Sequence, residues 1–171
     1  MAHRRFFILL WLLTFYYSST SYAQNKPTAP AADVALSVSG EVARPLKLSA
    51  ADIAKLPRRT VKAKDHSGKE LTYEGTPLIE VLQLAGVPFG ENLRGKSLAL
   101  YLVVEAADGY RAVFALPELD PAFTDRVILL TDRKEGSPLS APEGPLRIVI
   151  PDEKRQARWV RQVTSLIIRR A

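Results

Sequence analysis

Val34, Leu36 and Val38 alternate with Ala35, Ser37 and Ser39 ahead of Gly40, a period of two that predicts a strand with one buried face. The period then changes. Residues 49–56 (SAADIAKL) read as a short helix with Ser49 as its N-cap and Asp52 in the first turn, stopped by Pro57. Residues 60–64 and 70–73 flank Asp65-His66-Ser67-Gly68, a polar turn with a glycine where a positive φ is needed, and together they predict a hairpin. In residues 75–87 (GTPLIEVLQLAGV), Thr76 stands as N-cap and Pro77 as the first helical residue. Leu78, Val81, Leu82 and Ala85 then share one stripe at helical spacing, and Gly86 with Pro88 ends the helix.

Further along, residues 97–106 and 110–115 are rich in β-branched and aromatic side chains and are joined by Ala107-Asp108-Gly109, a second hairpin whose Asp-Gly pair suits a type I′ turn. Residues 116–121 (LPELDP) predict a helical turn. Residues 127–131 form another apolar run, followed by a polar turn at 132–136 and a proline-bearing loop at 137–144. Residues 146–150, apolar except for Arg147, read as a half-buried strand that Pro151 and Asp152 stop, and residues 163–168 resume as a strand. About eight strands and two or three short helices in so irregular an order do not make a doubly wound sheet. The expected class is α+β, with a mixed, largely antiparallel sheet and short helices.

Between the last two strands lies the segment around which the rest is organised. Lys154, Arg155, Arg158 and Arg161 fall within eight residues that contain no acid, and Trp159 stands among them. Guanidinium forks for a charge and an indole for a flat face are the parts of a pocket for a planar anion. The same residues also suit a solvated loop with a tryptophan in the core.

Composition narrows the chemistry. The chain has 171 residues, a net charge of +6 and 47% hydrophobic residues, enough for one domain with a core of its own. It has no cysteine, which removes disulfides, thiolate metal sites and a cysteine nucleophile together. With two histidines, one of them His3, a multi-histidine metal site is also excluded within one chain. The positive charge is not gathered into one long run, and nucleic acid is not expected as a partner.

The N-terminus reads as an export signal. His3, Arg4 and Arg5 precede an apolar run over residues 6–17, and Ser21-Tyr22-Ala23 supplies the small residues a signal peptidase reads. Residues 1–23 are therefore expected to be a cleaved signal peptide and residues 24–33, with Pro27 and Pro30, a linker, leaving residues 34–171 as the folded domain. This predicts a periplasmic protein with no stable membrane anchor after cleavage. Arg4-Arg5-Phe6-Phe7-Ile8 partly matches a twin-arginine motif, so the general secretory and twin-arginine routes both stay open.

Three stretches in order, GTPLIEVLQLAGV (75–87), ADGYR (107–111) and GPLRIVIP (144–151) leading to RWV (158–160), resemble the molybdopterin-binding domain of the sulfite oxidase family. The likeness covers nearly all of residues 34–170. It implies a mixed fold around a pterin pocket, with the basic loop before the last strand facing the cofactor. Catalytic members that this pattern resembles hold molybdenum through a cysteine upstream of the Gly-x-Pro-Leu helix. Here that region is VKAKDHSG (61–68), so no soft, charged donor remains for a high-valent metal. The chain is also similar to small exported relatives that bind pterins without the metal chemistry, some through a membrane-bound signalling partner.

On this footing the candidate ligand-binding residues are His66, Tyr73, Asp108, Tyr110, Arg111, Arg155, Arg158 and Trp159, with no catalytic residue and no metal ligand. Arg155 and Arg158 would take a phosphate or carboxylate tail, Trp159 would stack on the ring, and Lys154 and Arg161 would stay solvated. Asp108 could accept hydrogen bonds from an amino-pyrimidine edge, Tyr73 and Tyr110 could stack, and His66 either donates to the ligand or merely caps its turn. The expected function is recognition of a pterin or molybdopterin-like ligand, without molybdenum, reported to the periplasmic domain of an inner-membrane signalling protein. The alternatives are a molybdenum-cofactor oxidoreductase with a non-cysteine ligand, and a protein-binding module that uses the basic loop as a docking patch.

Overall fold

The computed structural model describes residues 34–171; the expected signal peptide and linker lie outside them. Among the described residues ten strands form two sheets, accompanied by two short α-helices. In the first sheet the order is β2 (Leu46–Ser49), β1 (Val34–Gly40), β10 (Val163–Arg170), β5 (Leu100–Ala106), β6 (Arg111–Ala115). Only β1 and β10 run parallel; every other pairing is antiparallel. In the second, β3 (Arg59–Lys64) pairs β4 (Glu70–Pro77), β4 pairs β7 (Leu129–Lys134), and β7 carries both β8 (Ser137–Pro138) and β9 (Arg147–Val149). The mixed, largely antiparallel α+β class is therefore the observed one.

The period-two pattern explains how the first sheet holds its core. Val38 faces Leu166, Leu166 faces Val104 and Val104 faces Ala112, a row of inward side chains across four strands, all buried. The next row holds Gly40, Ile168, Leu102 and Phe114. A Cβ on Gly40 would stand 2.0 Å from the Ile168 carbonyl oxygen, so only glycine lets β1 approach β10 there.

Local signals held where they were local. Ser49 and Asp52 cap α1 (Ala50–Ala54) reciprocally: Asp52 N–H donates to Ser49 Oγ at 3.2 Å and Ser49 N–H to Asp52 Oδ2 at 3.1 Å. The hydrogen bonds from Ser49 hold the Asp52 carboxyl below its ordinary pKa. The stripe of α2 (Leu78–Leu84) is buried as its spacing predicts, with Leu78, Val81 and Leu82 each fully enclosed.

Tertiary pairing moved other boundaries. Thr76 does not cap α2: with Pro77 it completes β4, pairing Leu130 and Leu129, and the helix has no side-chain cap. The Ala107-Asp108-Gly109 turn has a positive φ at Gly109 alone, whereas type I′ needs two in succession. Residues 95–99 wind into a 3-10 turn before β5 begins. The polar residues from Asp132 to Lys134 extend β7, with the turn at Glu135 and Gly136, because Arg133 and Lys134 pair with Glu74 and Tyr73 of β4, while Asp132 is answered by Arg58. Among the described residues no helix is long and apolar enough to cross a membrane.

A cationic cleft beside the basic loop

The basic loop leaves β9 at Pro151 and turns sharply, with Asp152 at φ 61°, before a 3-10 turn at Gln156–Arg158 returns it to β10. Its second half is tied down on three sides. Gln156 Nε2 donates to the Lys64 carbonyl at the end of β3 (2.6 Å), and Tyr110 Oη donates to the Ala157 carbonyl (2.7 Å). Arg158 reaches Glu118 at 2.9 Å and the Oε1 atom of Glu153 at 2.6 and 2.9 Å, with its guanidinium 4.8 Å from the centre of the Phe114 ring. Burial works against that charge, but the hydrogen bonds it donates to Glu118 and Glu153 outweigh this and hold the guanidinium above its ordinary pKa.

On one side of this segment opens a cleft of about 620 Å³, between the β3–β4 turn and residues 152–156. Lys62, Lys64, His66, Lys154 and Arg155 line it, with Trp159 in its wall. Four acids line it as well, yet three are already engaged. Asp65 accepts from Ser67 N–H and Oγ–H and from Lys69 N–H, closing its own turn; these bonds, the Ser67 hydroxyl first, hold its carboxyl below the ordinary range. Glu153 holds Arg158, and Glu70 lies 3.7 Å from Lys62. Among the described residues Lys64, Lys154 and Arg155 have no ion-pair partner, so the cleft presents three unanswered cations against Asp152 alone.

A second cleft of about 510 Å³ lies across the 156–159 segment, lined by Asp108, Tyr110, Arg161 and Gln162, and Trp159 walls both. The indole is 4% exposed. Tyr73 meets it edge-on at 5.7 Å and the Arg147 guanidinium lies 5.3 Å from its ring centre. Behind it, Glu143 binds Lys134 at 2.5 Å and also takes Arg147 and the Ser140 hydroxyl. Burial pushes the Glu143 carboxyl up, but the bonds from Lys134 and Ser140, together with the charges of Lys134 and Arg147, bring it below its ordinary range.

The sequence-predicted residues are thus distributed rather than gathered. His66, Arg155 and Trp159 share the first cleft, and Asp108, Tyr110 and Trp159 share the second. Tyr73 is buried behind the indole, where burial raises its hydroxyl pKa, and it lines neither cleft. Arg158 also lines neither, being committed to two carboxylates. Arg111 pairs with Glu105 at 3.0 Å and borders a separate groove with Val103 and Val113. Asp65, not His66, closes the β3–β4 turn, leaving the imidazole exposed at the cleft. Lys154 and Arg161 are exposed, yet each borders a cleft. Lys62 and Lys64, two apart on β3 and so on one face, carried a signal that pattern reading passed over.

Comparison with known proteins agrees with this architecture. The sulfane dehydrogenase SoxCD from Paracoccus pantotrophus shares the fold with a TM-score of 0.61 at 23% identity, over 80% of this chain and 38% of that one. The chain therefore spans well under half the length of that relative. No curated protein matches it. Residues 23–170 match the family described as the oxidoreductase molybdopterin binding domain. That match takes in both sheets and the loop that walls the cleft, and the chain belongs to the oxidoreductase molybdopterin-binding domain family.

Proposed function

We propose that this chain is an exported, periplasmic member of the family that binds a pterin-type ligand without molybdenum redox chemistry and reports occupancy to the periplasmic part of a membrane signalling protein. The observation that carries this reading is the first cleft, where Lys64, Lys154 and Arg155 converge with no ion-pair partner among the described residues, beside an exposed imidazole. Three unpaired cations at one opening suit a phosphate-bearing heterocycle, since charge-assisted bonds are about twice as strong as neutral ones.

The family's cofactor has two parts, and the residues answer them differently. The pterin and its phosphate fit: Lys64, Lys154 and Arg155 would take the phosphate, with His66 as a further donor. Molybdenum held by a thiolate does not fit, because the chain has no cysteine. When bound, a molybdenum-loaded cofactor would supply oxygen-atom transfer. The second reading, an oxidoreductase holding that metal through a non-thiolate ligand, draws on the partial twin-arginine motif at residues 4–8 and on the family match.

The test is calorimetry on the purified mature chain with dihydroneopterin and dihydroneopterin monophosphate. The phosphate form is expected to bind more tightly, and Arg155→Ala to cost the phosphate form about tenfold while sparing the parent pterin. No binding of either compound overturns the reading. Stoichiometric molybdenum in protein isolated from its native periplasm selects the second.

A further inference from the structure

Among the described residues no helix covers the outer face of the first sheet. Ile53 of α1 and Leu78, Val81 and Leu82 of α2 all belong to the core, so both helices pack inward. Strand register lays out the bare face. Ser39, Ile167, Val103 and Val113 form one row across β1, β10, β5 and β6; Arg169, Tyr101 and Ala115 form the row on one side of it, and Ser165, Glu105 and Arg111 the row on the other. Val113 is 52% exposed, and Val103, though buried by its neighbours on this face, is not part of the core. They leave a groove of about 240 Å³ with Tyr101, Val103, Val113 and Ile167 in its lining and Arg111 and Arg169 on opposite sides of the apolar row. The groove runs on into a more open depression at Gly40, Glu41 and Arg170.

Charge on this face is unevenly answered. Arg111 pairs with Glu105 at 3.0 Å and Arg170 with Glu41 at 2.8 Å, whereas Arg169 has no ion-pair partner among the described residues. The neighbouring edge of the sheet is already occupied. The Val113 carbonyl accepts from Arg158 Nη1 at 3.4 Å, and Ala115 N–H donates to Glu118 Oε1 at 3.1 Å, so a partner strand cannot add along the middle of β6 and a partner meets the face instead. We propose that this face docks a segment of a partner protein in which an apolar side chain protrudes between carboxylates, the side chain entering the groove over Val103 and the carboxylates meeting Arg169 and Arg111. A hollow takes a protrusion, and a guanidinium beside an apolar floor takes a carboxylate through two N–H groups. A second copy of the chain is a poor occupant, since it brings another hollow and the same surplus of positive charge. The face shares no lining residue with either cleft, and the proposal does not rest on the pterin-type reading.

Three blocked tetrapeptides probe the face on the intact, nitrogen-15-labelled mature chain: ELFE, its basic counterpart KLFK and its polar counterpart ESSE. Amide shifts in NMR spectra report both the place and the affinity of binding. ELFE is expected to move the amides of residues 101–103, 111–113 and 167–169 with a Kd on the order of 1 mM, and KLFK and ESSE to bind about tenfold more weakly or not at all. Val113→Asp should weaken ELFE about tenfold, and Arg169→Glu should narrow or reverse the preference for ELFE over KLFK. Both side chains are exposed, and urea unfolding of each variant separates lost docking from a lost fold; Arg169→Gln serves where the reversed charge disturbs folding. Equal response to ELFE and KLFK, an unchanged preference in the Arg169 variants, or shifts confined to residues 62–70 and 152–156 overturns the proposal. Movement of the face amides on dilution of the chain alone assigns the face to a second copy, and their selective loss with phosphatidylglycerol vesicles but not with ELFE assigns it to lipid; either overturns it as well.

Discussion

Arg155 and Arg158 are three residues apart in one loop and have opposite circumstances. Arg158 is spent on Glu118, Glu153 and the face of Phe114, and joins the loop to the first sheet. Arg155 has no ion-pair partner among the described residues and borders the cleft. The same division separates Arg147, buried against Trp159 and Glu143, from Lys64 and Lys154. Counting charges in a loop therefore says little about which are available to a ligand. The acids brought to them by the fold decide it.

The widest break in this contrast comes from the ring the tied half is built around. Trp159→Ala should cost about 3–5 kcal/mol of unfolding free energy, read by urea titration, because it empties the space between Tyr73 and Arg147. Glu143→Gln leaves Lys134 and Arg147 without their carboxylate and should cost about 2 kcal/mol at neutral pH. That difference has a sign in pH. The folded-state pKa of Glu143 lies below its unfolded value, so its contribution is complete above the unfolded pKa and fades as pH falls through the folded one. Wild type and variant should converge in acid, in unfolding curves taken below the ordinary carboxylate range. A gap that persists there means that Glu143 acts through packing rather than charge.

Arg158→Ala comes next, at about 1–2 kcal/mol, since the two carboxylates it leaves keep some contact with water. Arg155→Ala closes the series with a stability change within about 0.5 kcal/mol. If thermal or urea unfolding ranks Arg155 with Arg158, the contrast between engaged and available cations is lost.

Much of the fold was legible because its signals are short in range. The alternation of Leu36 and Val38, the reciprocal cap of Ser49 and Asp52, and the stripe through Leu78, Val81 and Leu82 each depend on neighbours a few residues away. What escaped depends on partners far along the chain. Thr76 has the chemistry of a helix cap, but Leu130, brought alongside by β7, holds it in a strand. Arg147, alone in an apolar run, found Glu143 and the indole face and so could be buried. The site followed the same rule. That the loop walls a cleft was readable from its composition, whereas the commitment of Arg158 to Glu118, 40 residues earlier, was not.

The first sheet is ordered so that its middle strand, β10, is the last described segment in the chain, with β1 against one side and β5 against the other. Before that strand is made, its two neighbours have open flanks and no partner between them. A ribosome must deliver residues 163–170 before this half of the molecule can close, so pairing here waits for β10 rather than proceeding strand by strand.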